Sequence, residues 1–160
     1  MDTQTIEILG RNRLIDELLM AGLEVAEPLR DRGVDLIAYV DLAASASKFA
    51  AVPIQMKAAS TSAFSIDAKY AKISNLVIAY VWGLRAPELA QSFALTYAEA
   101  IQVADTMKWT ATQSWAKGSY STSAPSEKLM ALLLPFRMSP EAWRKKISTV
   151  SLVALQSAPP

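Results

Sequence analysis

An acid, an amide and an amine stand at the ends of two apolar runs in GVDLIAYVDLAASASKFAAVPIQMK, residues 33–57. Asp35 opens the first run, and Gln55 and Lys57 close the second. Paired as antiparallel strands, the segment brings its own two ends side by side. Gln55 and Lys57 are two residues apart, so they share one face of their strand. Carboxylate, amide and ammonium then converge at one end of a sheet. Two outcomes stay open on this pattern alone. One is a chemical site; the other is a half-buried hairpin whose polar residues only mark where its strands stop.

The chemistry open to the rest of the chain is narrow. Its 160 residues include neither Cys nor His. Disulfides, thiolate nucleophiles, Cys- or His-ligated metals and a Ser-His-Asp triad are therefore excluded. A metal would need oxygen ligands, as Mg²⁺, Mn²⁺ and Ca²⁺ accept. A general base would be a carboxylate, Lys, Tyr or water. Sixteen basic and 15 acidic side chains leave a formal net charge of +1, without the basic excess many nucleic-acid binders show; a local basic patch stays open. With 52% hydrophobic and 19% charged residues, a folded chain is expected, one domain over residues 1–160. The start, MDTQTIEILGRN, lacks a signal-peptide pattern, and no run of about 18 apolar residues exists. A cytoplasmic protein without a membrane partner is expected.

Several elements must position the three residues. Residues 3–21 read as an amphipathic helix, with Ile8, Leu14, Ile15, Leu18 and Leu19 at helical spacing and Gly22 as its stop. Gly10 inside it marks close packing or a weak point. Strands are expected at 23–29, 34–42 and 49–60, with a turn at RDRG and a small polar connection at 43–48. Pro53 places the third strand at an edge or a bulge. The segment 61–74 is polar and mixed. A strand buried on both faces is expected at 75–83, and a shorter one at 92–97. Helices are expected at 98–108, at 126–136 until Pro135 interrupts, and at 139–148, where Ser139 and Pro140 form a start signal. Residues 109–125 read as loop with strand character, and the tail LQSAPP as frayed. The order gives an α/β (α+β) class around one mixed sheet.

Here the residues resemble the PD-(D/E)XK nuclease superfamily. Its core is a helix followed by a mixed sheet, with an Asp at the second strand and an acid-x-Lys tripeptide on the third. GVDLIAYV and IQMK look like the variant with Gln in place of that acid. LIDELLMAGLEVAEPLRDRGVDLIAYVD is similar to the helix, strand and Asp segment of archaeal Holliday-junction resolvases and small restriction-like endonucleases. The resemblance covers roughly residues 8–82. It implies a restriction-endonuclease-like core and metal-assisted hydrolysis of DNA phosphodiesters by a homodimer. Asp35, the side-chain oxygen of Gln55 and the backbone carbonyl of Met56 would hold Mg²⁺ or Mn²⁺, with Asp35, Gln55 and Lys57 as the catalytic set. The family also carries a Glu on its first helix, followed at helical spacing by apolar residues and a Gly. Leu14, Ile15, Leu18 and Gly22 fit that frame and put Arg11 at the Glu position. Glu7, one turn earlier on the same face, is the candidate to reach the metal; Glu17 lies on a different face. Arg11 would pair with Asp35 or hold a phosphate.

Other features admit plainer readings. Lys69, Tyr70 and Lys72 in KYAKIS would touch a nucleic-acid phosphate, or form a solvated turn. Trp109, Trp115, Lys117 and Tyr120 interleave rings and cations, as stacking surfaces do, or pack at a sheet edge. Leu129, Leu132, Leu133 and Phe136 form a core or dimer stripe. AKGSYS lacks P-loop spacing. Beside the nuclease, two other classes remain: an inactive binding or regulatory module on the same fold, and a structural or assembly protein.

Overall fold

The computed structural model describes residues 1–30, 32–40, 49 and 51–156, the last five by backbone only. Asp31 of the expected turn, the stretch 41–48, Ala50 and the tail from 157 lie outside the described residues. In chain order the elements are α1 (Thr3–Met20), β1 (Leu23–Ala26), β2 (Leu36–Val40), β3 (Ala51–Ala58), β4 (Phe64–Asp67), β5 (Val77–Trp82), β6 (Gln91–Thr96), α2 (Tyr97–Thr106), α3 (Gln113–Ala116), β7 (Ser119–Thr122), α4 (Glu127–Leu133) and α5 (Pro140–Gln156).

α1 begins where the Asp2 carboxylate accepts from the Thr5 N–H at 2.8 Å. It ends at Gly22, whose φ of +74° reverses the chain in a conformation that only glycine adopts without strain. β1, β2 and β3 follow as an antiparallel meander. β5 then runs parallel to β3, and β6 antiparallel to β5, giving the order β1-β2-β3-β5-β6. The class is mixed α/β, a five-stranded mixed sheet flanked by helices. α2 is fixed by a reciprocal cap between Thr96 and Glu99. α5 starts as expected, with Ser139 Oγ accepting from Ala142 N at 3.2 Å, but continues to Gln156 rather than stopping at 148.

β5 decides where the core lies. All six of its residues are buried, so both faces of the sheet are covered. Val77, Ala79 and Val81 pack with Leu14 and Leu18 of α1 and with Trp143 and Ile147 of α5. Ile78, Tyr80 and Trp82 pack with Phe64, Ile66, Trp109, Leu129 and Leu133 on the other side. Leu129 and Leu133 are thus core, not a dimer face.

Three expectations change. β4 pairs with β7 in a separate two-stranded ribbon, inside segments that read as mixed or loop-like. Pro53 lies in the third of five strands, not at an edge; it faces Ile37 of β2 and sits one residue ahead of the ladder to β5. Ile8 and Leu19 point outward, at 59% and 50% exposure, because Gly10, Leu14 and Leu18 form the buried line of α1. Among the described residues no helix is long and apolar enough to cross a membrane.

Candidate functional site

The β2–β3 register, Leu36 against Ile54, sets Asp35 beside Gln55. The Asp35 backbone N–H donates to the Ile54 carbonyl at 2.8 Å. The Asp35 carboxylate oxygen Oδ2 accepts from the backbone N–H of Met56 at 2.6 Å and from Gln55 Nε2 at 2.5 Å. Gln55 Nε2 also donates to the Met56 carbonyl at 3.1 Å. Asp35 and Gln55 are 8% and 9% exposed, so this carboxylate depends on protein donors for its solvation. The main-chain N–H between Gln55 and Lys57 also fixes its orientation.

Asp35, Gln55, Met56 and Lys57 line one cleft of about 280 Å³. Glu7 lines it too, together with Thr3 and Ile6 of α1. α1 gets this close because Gly10 has no side chain: a Cβ there would lie 2.6 Å from the Cβ of Ala58. Ala63 and Ser65, beside and within β4, complete the lining. These two, Thr3, Ile6 and Ala58, which also lines the cleft, were not singled out from the sequence. The alternation in FSID, with Phe64 and Ile66 buried and Ser65 and Asp67 outward, is the signal that could have found β4.

Lys57 follows Gln55 onto the same strand face. Its Nζ lies 5.3 Å from the centroid of the Tyr70 ring. Lys69 Nζ lies 5.2 Å from the same centroid and 3.5 Å from Asp67. The three residues expected at a phosphate therefore divide. Lys69 and Lys72 are exposed, whereas Tyr70 is 2% exposed and offers the two ammonium groups a ring face from inside the core. Below Lys57 in the β3–β5 ladder is Tyr80, fully buried, its hydroxyl donating to the Ser65 carbonyl at 2.7 Å. Burial first, and the neighbouring Tyr70 second, push the Tyr80 phenol far above its ordinary range.

Arg11 pairs with two glutamates rather than with Asp35. Its guanidinium lies 3.3 Å from Glu7 and 3.5 Å from Glu27. Glu27 follows β1, and nothing in the helix spacing pointed to it. Glu17, on another face, accepts from Arg13 at 2.7 Å, Ser92 at 3.0 Å and Trp143 at 3.0 Å, tying α1 to β6 and α5. Trp109 stacks on Tyr120 with centroids 4.3 Å apart and is 8% exposed, so the interleaved aromatics include a packed pair. Arg144, in the basic run 144–146, donates to the Ala21 carbonyl at 2.9 Å and closes the end of α1.

The donor set can be tested against a divalent cation. Among the described residues no group of three acidic side chains gathers. What converges is one carboxylate, one amide and one main-chain carbonyl. Gln55 Nε2 sits between the oxygens of Asp35 and Met56, so a partial positive charge already occupies the point where they meet. Turning the amide over exchanges nitrogen for oxygen at that point and leaves three hard oxygen donors. Mg²⁺ is commonly held by few protein ligands and several waters, so the set fits a weakly held cation.

No family model, curated protein or solved structure matches the chain.

Proposed function

We propose that the chain is a metal-dependent endonuclease-like protein that hydrolyses DNA phosphodiesters on a restriction-endonuclease-like core. One observation carries this: Asp35, Gln55 and Lys57 line a single cleft with Glu7. The element order supports it, since a helix followed by a mixed sheet, with Asp35 beside the second strand and Gln55 and Lys57 on the third, is the order that the resemblance implies.

Asp35, the turned Gln55 amide oxygen and the Met56 carbonyl would hold Mg²⁺ or Mn²⁺. When bound, such an ion acidifies a water and offsets charge on the phosphate. Asp35 is held in place by the Met56 N–H, and its bond from the Gln55 amide would be given up when the ion binds. Lys57 sets an ammonium beside the phosphate oxygens, where negative charge grows during hydrolysis. The Tyr70 ring restrains that ammonium without neutralising it. Glu7 adds a second carboxylate, shared with Arg11. Cutting both strands of a duplex would take two such clefts, so a homodimer belongs to the same proposal.

A second reading has its own observation. The Gln55 amide satisfies Asp35 and the Met56 carbonyl without any ion, which suits a non-catalytic binding or regulatory module. Plasmid nicking with Mg²⁺ and with Mn²⁺ separates the two. Wild type is expected to nick, with Asp35→Ala and Lys57→Ala slower by about 100-fold or more, the usual cost of losing a charge-stabilising group. Equal rates in all three proteins end the nuclease proposal. No nicking, alongside salt-dependent DNA binding, supports the module.

A further inference from the structure

Glu7 stands between two hollows. It lines the cleft of Asp35, Gln55 and Lys57, and it also lines a neighbouring hollow of about 300 Å³ over α1, with Gln4, Ile8, Arg11 and Asn12. Arg11 holds Glu7 from that second hollow, with Nη2 3.3 Å from a Glu7 carboxylate oxygen. Its other terminal nitrogen, Nη1, lies 3.5 Å from Glu27, just past the end of β1. One guanidinium thus has two carboxylates, one on each terminal nitrogen, and only Glu7 belongs to the cleft.

Both contacts are weak enough to exchange. The side chains of Arg11, Glu7 and Glu27 are 33%, 52% and 54% exposed, and ion pairs this open to water contribute little. If Glu7 leaves, Arg11 keeps Glu27 as its counter-charge. The cleft has the opposite need in its two states. Asp35 is the one buried carboxylate among the described residues, and its Oδ2 is satisfied by the Met56 N–H and the Gln55 amide. Without a cation, a second carboxylate turned toward it meets like-charge repulsion. With a divalent cation in the cleft, the same carboxylate adds the oxygen and the negative charge that such an ion takes.

We propose that Arg11 is a positioning residue for the cleft: it holds Glu7 out of the ligand set while no cation is bound, and it passes to Glu27 when Glu7 turns in. The inference rests on the reading of the cleft as a Mg²⁺ or Mn²⁺ site. Position 11 then has a role opposite to that of the Glu that the resemblance puts there, restraining a ligand instead of being one. Cation affinity is set by a competition for Glu7, and Glu27 weights that competition by drawing Arg11 away.

Mn²⁺ titration calorimetry on the full chain tests this. A salt concentration of 0.15 M screens bare charges beyond about 8 Å. Arg11→Gln, Glu27→Gln and Glu7→Gln change exposed or half-exposed side chains, and unchanged circular dichroism checks their folding. Arg11→Gln is expected to tighten Mn²⁺ binding about two- to four-fold, the scale of one or two exposed ion pairs released. Glu27→Gln is expected to weaken it about two-fold, because Arg11 then has only Glu7. Both effects should vanish in a Glu7→Gln background, where nothing remains for Arg11 to hold. Equal effects with and without Glu7 would make Arg11 a distant charge and overturn the inference. So would Mn²⁺ binding that needs Asp35 but is indifferent to Arg11 and Glu7, an outcome that leaves the cation reading of the cleft standing. Absence of Asp35-dependent Mn²⁺ binding from every variant overturns both.

Discussion

Replacing Gln55 by Glu puts a second carboxylate at the site, and its cost to stability is expected to be large without metal and small with it. In the structure the amide nitrogen donates to Asp35 Oδ2 and to the Met56 carbonyl, and both residues are over nine-tenths buried. Gln55→Glu removes the donor. It places a carboxylate oxygen where the nitrogen was, within hydrogen-bonding distance of an existing carboxylate. A hydrogen bond to a charged acceptor contributes about 1.5–3 kcal/mol, and close like charges add a further cost. The net loss in EDTA at pH 8 is expected to be about 2–3 kcal/mol. At about 2–4 °C per kcal/mol for a chain of this size, Tm falls by roughly 5–10 °C.

Two conditions should restore it. At pH 5 the two carboxylates can share a proton, which rebuilds one hydrogen bond, so the deficit shrinks as pH falls. If the site takes a cation as proposed, added Mn²⁺ would meet two carboxylates and the Met56 carbonyl. Saturation at 100 times Kd contributes about 2.7 kcal/mol and returns most of the loss. Wild type, with one charge fewer in the ligand set, should gain less from the same Mn²⁺. Differential scanning fluorimetry in EDTA and in Mn²⁺, at both pH values, measures all of this. A Gln55→Glu protein as stable as wild type in EDTA refutes the bridging geometry. Equal Mn²⁺ gains in the two proteins refute cation binding at this point.

Gly10→Ala should lower stability by up to about 2 kcal/mol in urea titration: overpacking against Ala58 costs about 1–3 kcal/mol, and helix propensity returns about 1. A more stable variant would mean that α1 does not approach β3 this closely. Tyr70→Leu should move the ring-shifted NMR signal of isotope-methylated Lys57 toward that of an exposed lysine, while Tyr70→Phe leaves it in place; an unmoved signal in Tyr70→Leu removes the ring's role in positioning Lys57. Tyr80 should stay protonated in the folded chain at high pH. Its raised pKa makes stability full below pH 10 and falling above it by about 1.4 kcal/mol per pH unit, so one of the five tyrosines should ionise only on unfolding. A full tyrosinate signal before the circular dichroism changes would contradict this.

The convergence of Asp35 with Gln55 was legible because strand alternation and antiparallel pairing are local rules. β2 and β3 are neighbours in sequence, and Gln55 and Lys57 keep one parity between them. The ribbon was not legible. Phe64 and Ile66 alternate with Ser65 and Asp67 for only four residues, and the partner strand SYST lies over 50 residues away. No local pattern specifies such a pairing; the shared packing of Phe64, Trp109 and Tyr120 does. The outward turn of Ile8 and Leu19 was hidden by the same limit. Helical spacing shows which residues share a face, not which of two apolar faces meets the sheet, and Gly10 settles that by letting α1 touch Ala58.

Charge at the cleft was legible only in part. The sequence supplies the count of carboxylates, but not that Arg11 turns to Glu7 and Glu27, nor that an amide nitrogen bridges Asp35 and a main-chain carbonyl. Both depend on side-chain rotation within about one hydrogen-bond length, which spacing does not encode. Such rotation is also the degree of freedom a cation would use. An amide that donates to a carboxylate and a carbonyl needs to turn only about its last bond to present an oxygen at the same place. On the proposed reading, the Gln at this position would let one backbone geometry hold Asp35 ordered without an ion and add an oxygen ligand if an ion bound. A Glu there could do the second only at the expense of the first.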